Sequence, residues 1–269
     1  MKPNPKRLKT RLAVRHQRAI RNAVRASVDV QQILESWFST HPEGTGNITP
    51  NEARMWARVH TIVNTETLRN ALYNVYADSV VLGRDLSTYQ VARTASLKKA
   101  APTKEELQRS LGTNWSTWTP GNRAAALRLR PSSTLYELLN RGKTMSDEIT
   151  MTTVKRIGTI LADTLNAGIS PQRVAILIDR LIDDPERALS IAMTETSYAV
   201  VQSSLDLYRE SGVEMIEYLV ADPCDECSQN LEQSPIQLGE SWPNGDPPVH
   251  PNCMCDIAPY VVDTQFINE

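Results

Sequence analysis

Apolar residues recur at helical spacing through most of this chain and give way to a different texture only near its end. Residues 8–38 carry a helical pattern that closes on the apolar patch Ile33, Leu34, Trp37 and Phe38. The stretch HPEGTGNITP over 41–50 breaks it. Thr49-Pro50-Asn51-Glu52 then reads as a helix start, with a Thr cap, a proline in the first turn and an acid behind it. Ile62, Leu68, Leu72, Val75 and Val80 carry that helix to about Leu82. Residues 85–102 fit no single pattern, and 103–142, with Trp115, Trp118, Gly and Pro, read as short helices and turns. Ser146, followed by Asp147 and Glu148, opens a long helix on Ile149, Val154, Ile157, Ile160, Leu161 and Leu165, which Gly168 ends. Ser170-Pro171 starts the next, on Val174, Ile176, Leu177, Leu181 and Ile182. Asp184-Pro185-Glu186 starts another that reaches Arg209 and stops at Ser211-Gly212.

From Glu214 the pattern changes. Met215, Ile216, Tyr218, Leu219 and Val220 read as a strand, and the rest is turn-rich, with strand candidates before Cys253 and over 257–262. The expected fold is mainly α with a small C-terminal β unit, zinc-ribbon-like, hence α+β. Its segments would be a basic N-terminal arm (1–28), a helical region (29–142), a second helical part (143–213) and a metal-stapled β unit with an acidic tail (214–269). Composition agrees: 41% of the 269 residues are hydrophobic, enough for a core, while two Phe argue against a large β-sandwich. No run of 18 apolar residues occurs, so no membrane span is expected.

The four cysteines sharpen the picture, because all of them lie in that last segment: Cys224-x-x-Cys227 and, after a loop, His250-x-x-Cys253-x-Cys255. Two short Cys/His clusters separated by a loop suit a tetrahedral Zn²⁺, and a closed set of four ligands is structural. Cys224, Cys227 and His250 are three ligands; Cys253 or Cys255 completes the set, since residues two apart in an extended segment face one side. Two disulfides are the competing reading. The chain opens MKPNPKRLKT with no apolar signal-peptide core, which together with the well-placed His250 favours metal.

Enzymatic readings fare worse. Pro223-Cys224-x-x-Cys227 matches half of a zinc deaminase signature, with His41-Pro42-Glu43 as a distant first half. Those halves normally open neighbouring helices, whereas HPEGTGNITP has the composition of a loop. A thioredoxin-like pair would need a strand–helix–strand frame that is missing around Cys224. Asp222, Asp225 and Asp256 lie close to the cluster in sequence, but none stands as a convincing oxygen ligand, so replacing them is expected to leave the fold intact. His16, His41 and His60 lack partner patterns and are expected at the surface.

Charge is distributed unevenly although the net value is only −2. Residues 1–28 hold nine basic residues (Lys2, Lys6, Arg7, Lys9, Arg11, Arg15, Arg18, Arg21, Arg25) and no acid, whereas 210–269 hold twelve acids and no Lys or Arg. Arg11, Arg15, Arg18, Arg21 and Arg25 follow helical spacing and would form one basic stripe, with Leu8, Leu12, Ala19 and Ala23 on other faces. Such an arm suits a polyanion, either nucleic acid or an acidic protein face, including the acidic tail of another copy.

The C-terminal half also resembles a known family. A helix with Ala-x-Thr-Glu-Thr (192–196) runs into Tyr208-Arg209-Glu210-Ser211-Gly212-Val213, followed by Tyr218, by Asp222-Pro223-Cys224-x-x-Cys227 and by Pro248-Val249-His250-Pro251-Asn252-Cys253-Met254-Cys255. Over roughly 145–262 this is similar to the phage Mu F-type minor head, or head morphogenesis, proteins. Members usually carry Arg where Met254 stands and often Trp where Tyr218 stands. The resemblance implies a non-enzymatic virion component inside the head at the portal vertex, made in the host cytoplasm. Its partners would be the portal protein, the inner capsid surface and packaged double-stranded DNA, and its work morphogenesis, packaging or delivery. A zinc-containing nucleic-acid-binding module is the alternative, and a metal-dependent hydrolase or deaminase a more distant one.

Overall fold

The computed structural model describes residues 4–41, 48–61, 63–98, 133–221 and 223–260. Lys2, most of the 41–50 break, the tryptophans at 115 and 118, Asp222 and the proposed strand beyond Tyr260 lie outside them. The helices are α1 (Pro5–Ala26), α2 (Val30–Thr40), α3 (Pro50–His60), α4 (Glu66–Lys98), α5 (Ser133–Asn166), α6 (Pro171–Ile182), α7 (Pro185–Glu210) and α8 (Asp225–Glu232). The strands are β1 (Met215–Leu219), β2 (Ile236–Gln237) and β3 (Asp256–Pro259). They form one antiparallel sheet in the order β2-β1-β3, with Ile216 opposite both Ile236 and Pro259. The protein is therefore mostly helical with a small C-terminal sheet, and none of its described helices is long and apolar enough to cross a membrane.

Several boundaries differ from the periodicity. The pattern over 8–38 is two helices, because Ser27 turns its N–H and hydroxyl onto Val24 O, and Asp29 then caps α2 by accepting Gln32 N–H at 3.0 Å. The helix expected from Thr49 to Leu82 is likewise two. Asn64 N–H donates to Ser27 O, its Oδ1 accepts Glu66 N–H, and Val63 bridges Val28. These polar side chains compete with the helical backbone while the apolar spacing runs on regardless. Ser146 does not open α5. It lies well inside a helix that begins at Ser133, its hydroxyl satisfied by Lys143 O at 2.7 Å. The segment before Cys253 is not a strand.

Two compact units divide the chain, and each draws on separated stretches: Met1–Arg15, Asn74–Leu138 and Ser190–Glu269 form one, His16–Tyr73 and Leu139–Leu189 the other. The helices α1, α4, α5 and α7 each contribute to both units.

The all-helical unit is built on Ile33, Trp37, Ala53, Ile157, Leu161, Val174 and Ile178, none more than 2% exposed. Thr49 and Glu52 make the capping box that the sequence spells, each bonding the other's backbone N–H. Gly158 lets α5 approach α3 so closely that a Cβ there would lie 2.6 Å from Arg54 Cα. His41 stacks on Trp37 (4.0 Å between centroids), and His60 stacks on Trp56 (4.6 Å).

The other unit holds the sheet. Its core joins Val91 of α4, Val201, Leu205 and Tyr208 of α7, Ile216, Tyr218 and Ile257 of the sheet, Trp242, and the buried Cys227, Cys253 and Cys255. Gly83 of α4 sits against Val200 O of α7, where a Cβ would come within 2.6 Å. Tyr208 Oη donates to Gln90 Oε1 at 2.6 Å, and Gln90 Nε2 reaches Ile257 O, so α4 and α7 are tied to β3.

Candidate metal centre

Cys224 is the N-cap of α8: its Sγ accepts the Cys227 N–H, while Asp225 and Glu226 fill the first turn. This capped helix, which strand and turn signals concealed, turns Cys227 inward, where it is fully buried. The second cluster sits on the tight turn His250–Cys253, closed by Cys253 N–H to His250 O at 3.1 Å, with Asn252 in the left-handed region at φ 63°. Cys255 then leads directly into β3.

All five expected donors come together around Cys227. Its Sγ lies 3.7 Å from His250 Nε2, 3.8 Å from Cys253 Sγ and 3.5 Å from Cys255 Sγ. Cys224, Cys227 and His250 form one mutually close triad and Cys227, Cys253 and Cys255 another, so Cys227 is the shared member. Donors about 2.0–2.3 Å from a tetrahedral ion stand about 3.3–3.8 Å from one another. The observed separations and the soft donor set therefore fit a metal ion. No disulfide links the four cysteines.

The electrostatics favour anionic sulfur at two positions. Cys224 is lowered below the usual thiol range, chiefly by the Cys227 N–H, and Cys253 is lowered to about 5 by its hydrogen bond with Cys255 and by backbone N–H groups of Cys255 and Val249. Cys255 is raised as the proton-holding member of that pair, and burial raises Cys227. His250 directs Nδ1 to Pro251 O at 2.8 Å, which raises its affinity for a proton and leaves Nε2 facing Cys227 as the candidate ligand atom.

Several contacts surround the cluster. Tyr218 on β1 points its hydroxyl to Cys227 Sγ (3.7 Å) and packs edge-on against Trp242 (5.2 Å). Buried Asn230 of α8 fixes the loop through Gly245 O and Asn244 N–H. Asn252 N–H donates to Thr194 Oγ1 of α7 at 3.0 Å.

Asp256 is misjudged by the sequence. It is 5% exposed, its Oδ1 takes Ile257 N–H, and its Oδ2 pairs with Lys9 Nζ at 3.4 Å. Lys9, expected in the basic arm, is completely buried, and its ammonium also donates to Cys255 O (3.0 Å) and Ser197 Oγ (3.3 Å). A signal existed: Lys9 precedes Leu12, Ala13, His16 and Ile20 at steps of three and four, on the face of α1 that is buried. His16 on the same face is buried, not at the surface. Asp225 is exposed in the first turn of α8.

The remaining basic residues divide. Arg7, Arg11, Arg18 and Arg25 are exposed, as is Arg15, which stands 4.0 Å from Asp78. Arg21 is half-buried and paired with Asp183 at 2.9 Å, and Lys6 is half-buried with a partner of its own. The acids missing from 1–28 are thus supplied by α4 and by the α6–α7 connection. His41, whose Nδ1 faces Trp37 O, belongs to the all-helical unit and not to the one that carries the cysteines. Comparison with protein-family models, curated proteins and solved structures finds no match for this chain.

Proposed function

We propose that this chain is a phage minor head protein whose C-terminal unit is stapled by one structural Zn²⁺, and that it works without catalysis at the portal vertex inside the head, in morphogenesis and DNA packaging or delivery. The observation that supports this is the convergence of the motif pieces behind the resemblance. Thr194 of the Ala-x-Thr-Glu-Thr helix holds the backbone of Asn252 in the His-Pro-x-Cys-x-Cys turn, and Tyr218 reaches Cys227 of the Cys-x-x-Cys pair. Segments far apart in sequence thus make one centre. Four of its five donors suffice to close a tetrahedral ion, which is the arrangement of a structural site and not of an open catalytic one.

The test is assembly. Coexpressed with the portal and capsid proteins of its own genome, the wild type should enter heads in few copies and Cys227→Ser should be excluded. Heads that take up Cys227→Ser normally, with purified wild type performing a chemical step, would replace this reading by the hydrolase or deaminase one.

A zinc-containing nucleic-acid-binding module is favoured by a separate observation, the exposed arginines of α1. In that case purified protein should bind short duplexes by itself, with a log–log salt slope of about 0.9 per neutralised phosphate. Deleting 1–28 is a poor test, because it removes the buried Lys9, Leu12 and Ala13. Arg11→Gln and Arg18→Gln alter exposed positions only, and each should lower the slope if the helix lies on DNA. Unchanged slopes leave the portal, the capsid or the acidic segment of another copy as the partner of these arginines.

A further inference from the structure

We infer that Lys9 is a positioning residue of the metal centre, and that through it retention of the ion is coupled to docking of the start of α1. The inference rests on the metal reading above. The Lys9 ammonium donates to Cys255 O at 3.0 Å and Ser197 Oγ at 3.3 Å and is ion-paired with Asp256 Oδ2 at 3.4 Å, so it has three partners. Two of these belong to the segment that carries the candidate ligand Cys255 into β3. The third comes from α7, the helix whose Thr194 holds Asn252 in the turn that carries Cys253. Asp256 is engaged on both sides, since its other oxygen accepts the Ile257 N–H at the entry to β3.

The energetic consequence follows from burial. Lys9 is 0% exposed and Asp256 5%, so neither charge has water to fall back on. A buried ammonium stripped of its carboxylate is strongly unfavourable and leaves for solvent. If the ligand segment opens on loss of the ion, Lys9 loses two of its three partners, and the first turns of α1 must move to hydrate it. In the other direction, removing the ammonium frees the Cys255 carbonyl and leaves the Asp256 carboxylate unpaired beneath the ligands. Polar groups that fix ligands from behind alter metal affinity about 10–100-fold. Coupling of this kind acts equally in both directions.

The experiment uses full-length protein, reduced and loaded with Zn²⁺, in competition with a chromophoric chelator. Lys9→Met keeps the length and burial of the side chain and removes its charge. It should weaken ion retention at least about tenfold. Adding Asp256→Asn, which removes the carboxylate charge left behind, should restore most of that loss. Hydrogen exchange supplies the reciprocal reading and needs no variant: in the wild type, amides of α1 up to Arg15 should exchange more slowly with the ion than without it. Equal retention by Lys9→Met and wild type, a double variant no better than the single one, or exchange in α1 indifferent to the ion would each overturn the inference while leaving the metal reading standing. Wild type that retains no ion sinks both.

Discussion

Tyr76 donates its phenolic O–H to Glu195 Oε2 at 2.7 Å, and both side chains are buried, so the acid of the Ala-x-Thr-Glu-Thr motif is bound by α4. The motif helix makes three such polar attachments within one turn. Thr194 holds the His250–Cys253 turn, Glu195 holds α4 and Ser197 receives Lys9. Tyr76→Phe keeps the ring and removes one donor from a buried carboxylate. It should cost about 1–3 kcal/mol. Chemical denaturation should show a lower midpoint at unchanged slope.

Chelation should separate the sheet from the helices. Structural zinc contributes about 10 kcal/mol or more to folding in small sites. Ion removal should therefore abolish near-ultraviolet signals from Tyr218 and Trp242 while most helical circular dichroism persists. Cys227→Ser should give the same result at any zinc concentration, because both triads share that sulfur. Of Cys253→Ser and Cys255→Ser, only the one that removes the fourth ligand should lose zinc in elemental analysis.

Two glycines should resist replacement. Alanine is the better helix former by roughly 1 kcal/mol. At Gly158, however, its Cβ would meet the backbone of Arg54, and at Gly83 that of Val200, each within 2.6 Å. Backbone cannot move aside as a side-chain tip can, so overpacking of about 1–3 kcal/mol should prevail. Thermal melts of Gly158→Ala and Gly83→Ala below the wild-type midpoint would bear this out, and melts above it would refute the close packing of these helices.

Acid should loosen the start of α3. The Thr49 N–H and hydroxyl lower the Glu52 carboxyl below its ordinary value of 4.5. A group depressed on folding adds stability that is present above its unfolded value and is lost as pH falls through the folded one. The protection of the Ala53 and Arg54 amides, relative to their intrinsic exchange at each pH, should therefore fall below about pH 4.5. Glu52→Gln, which holds the box without charge, should flatten that dependence.

How far the sequence could be read depended on the kind of signal. The cap at Thr49, the helix start at Ser170-Pro171, the stop at Gly168 and the strand at Met215 speak through local chemistry, and all are found. The clustering of Cys224, Cys227, His250, Cys253 and Cys255 was legible because ligand spacing is local as well. The break at Ser27 was hidden, since its partner Asn64 lies on a distant segment that no periodicity reveals. Lys9 was misread for a similar reason. Nine basic residues in a row of 28 suggest one solvated face, and only the face it shares with Leu12 and Ile20 points the other way. Asp256 followed from Lys9, because the charge that accounts for an aspartate in β3 sits near the opposite end of the chain.

The interleaving of the two units sets an order of events during synthesis. The helical unit ends with Leu189 and can close once that residue has left the ribosome, since none of its segments lies downstream. The unit with the cysteine cluster cannot, because its last segment starts only at Ser190. Until then Lys9 has neither Asp256 nor Cys255 to receive it, and the first turns of α1 wait in water while the rest of that helix is already in use. Nascent chains arrested after Leu189 has emerged from the ribosome but before Asp256 is made should accordingly protect Trp37 from protease while the N-terminal residues up to Arg15 are still cut.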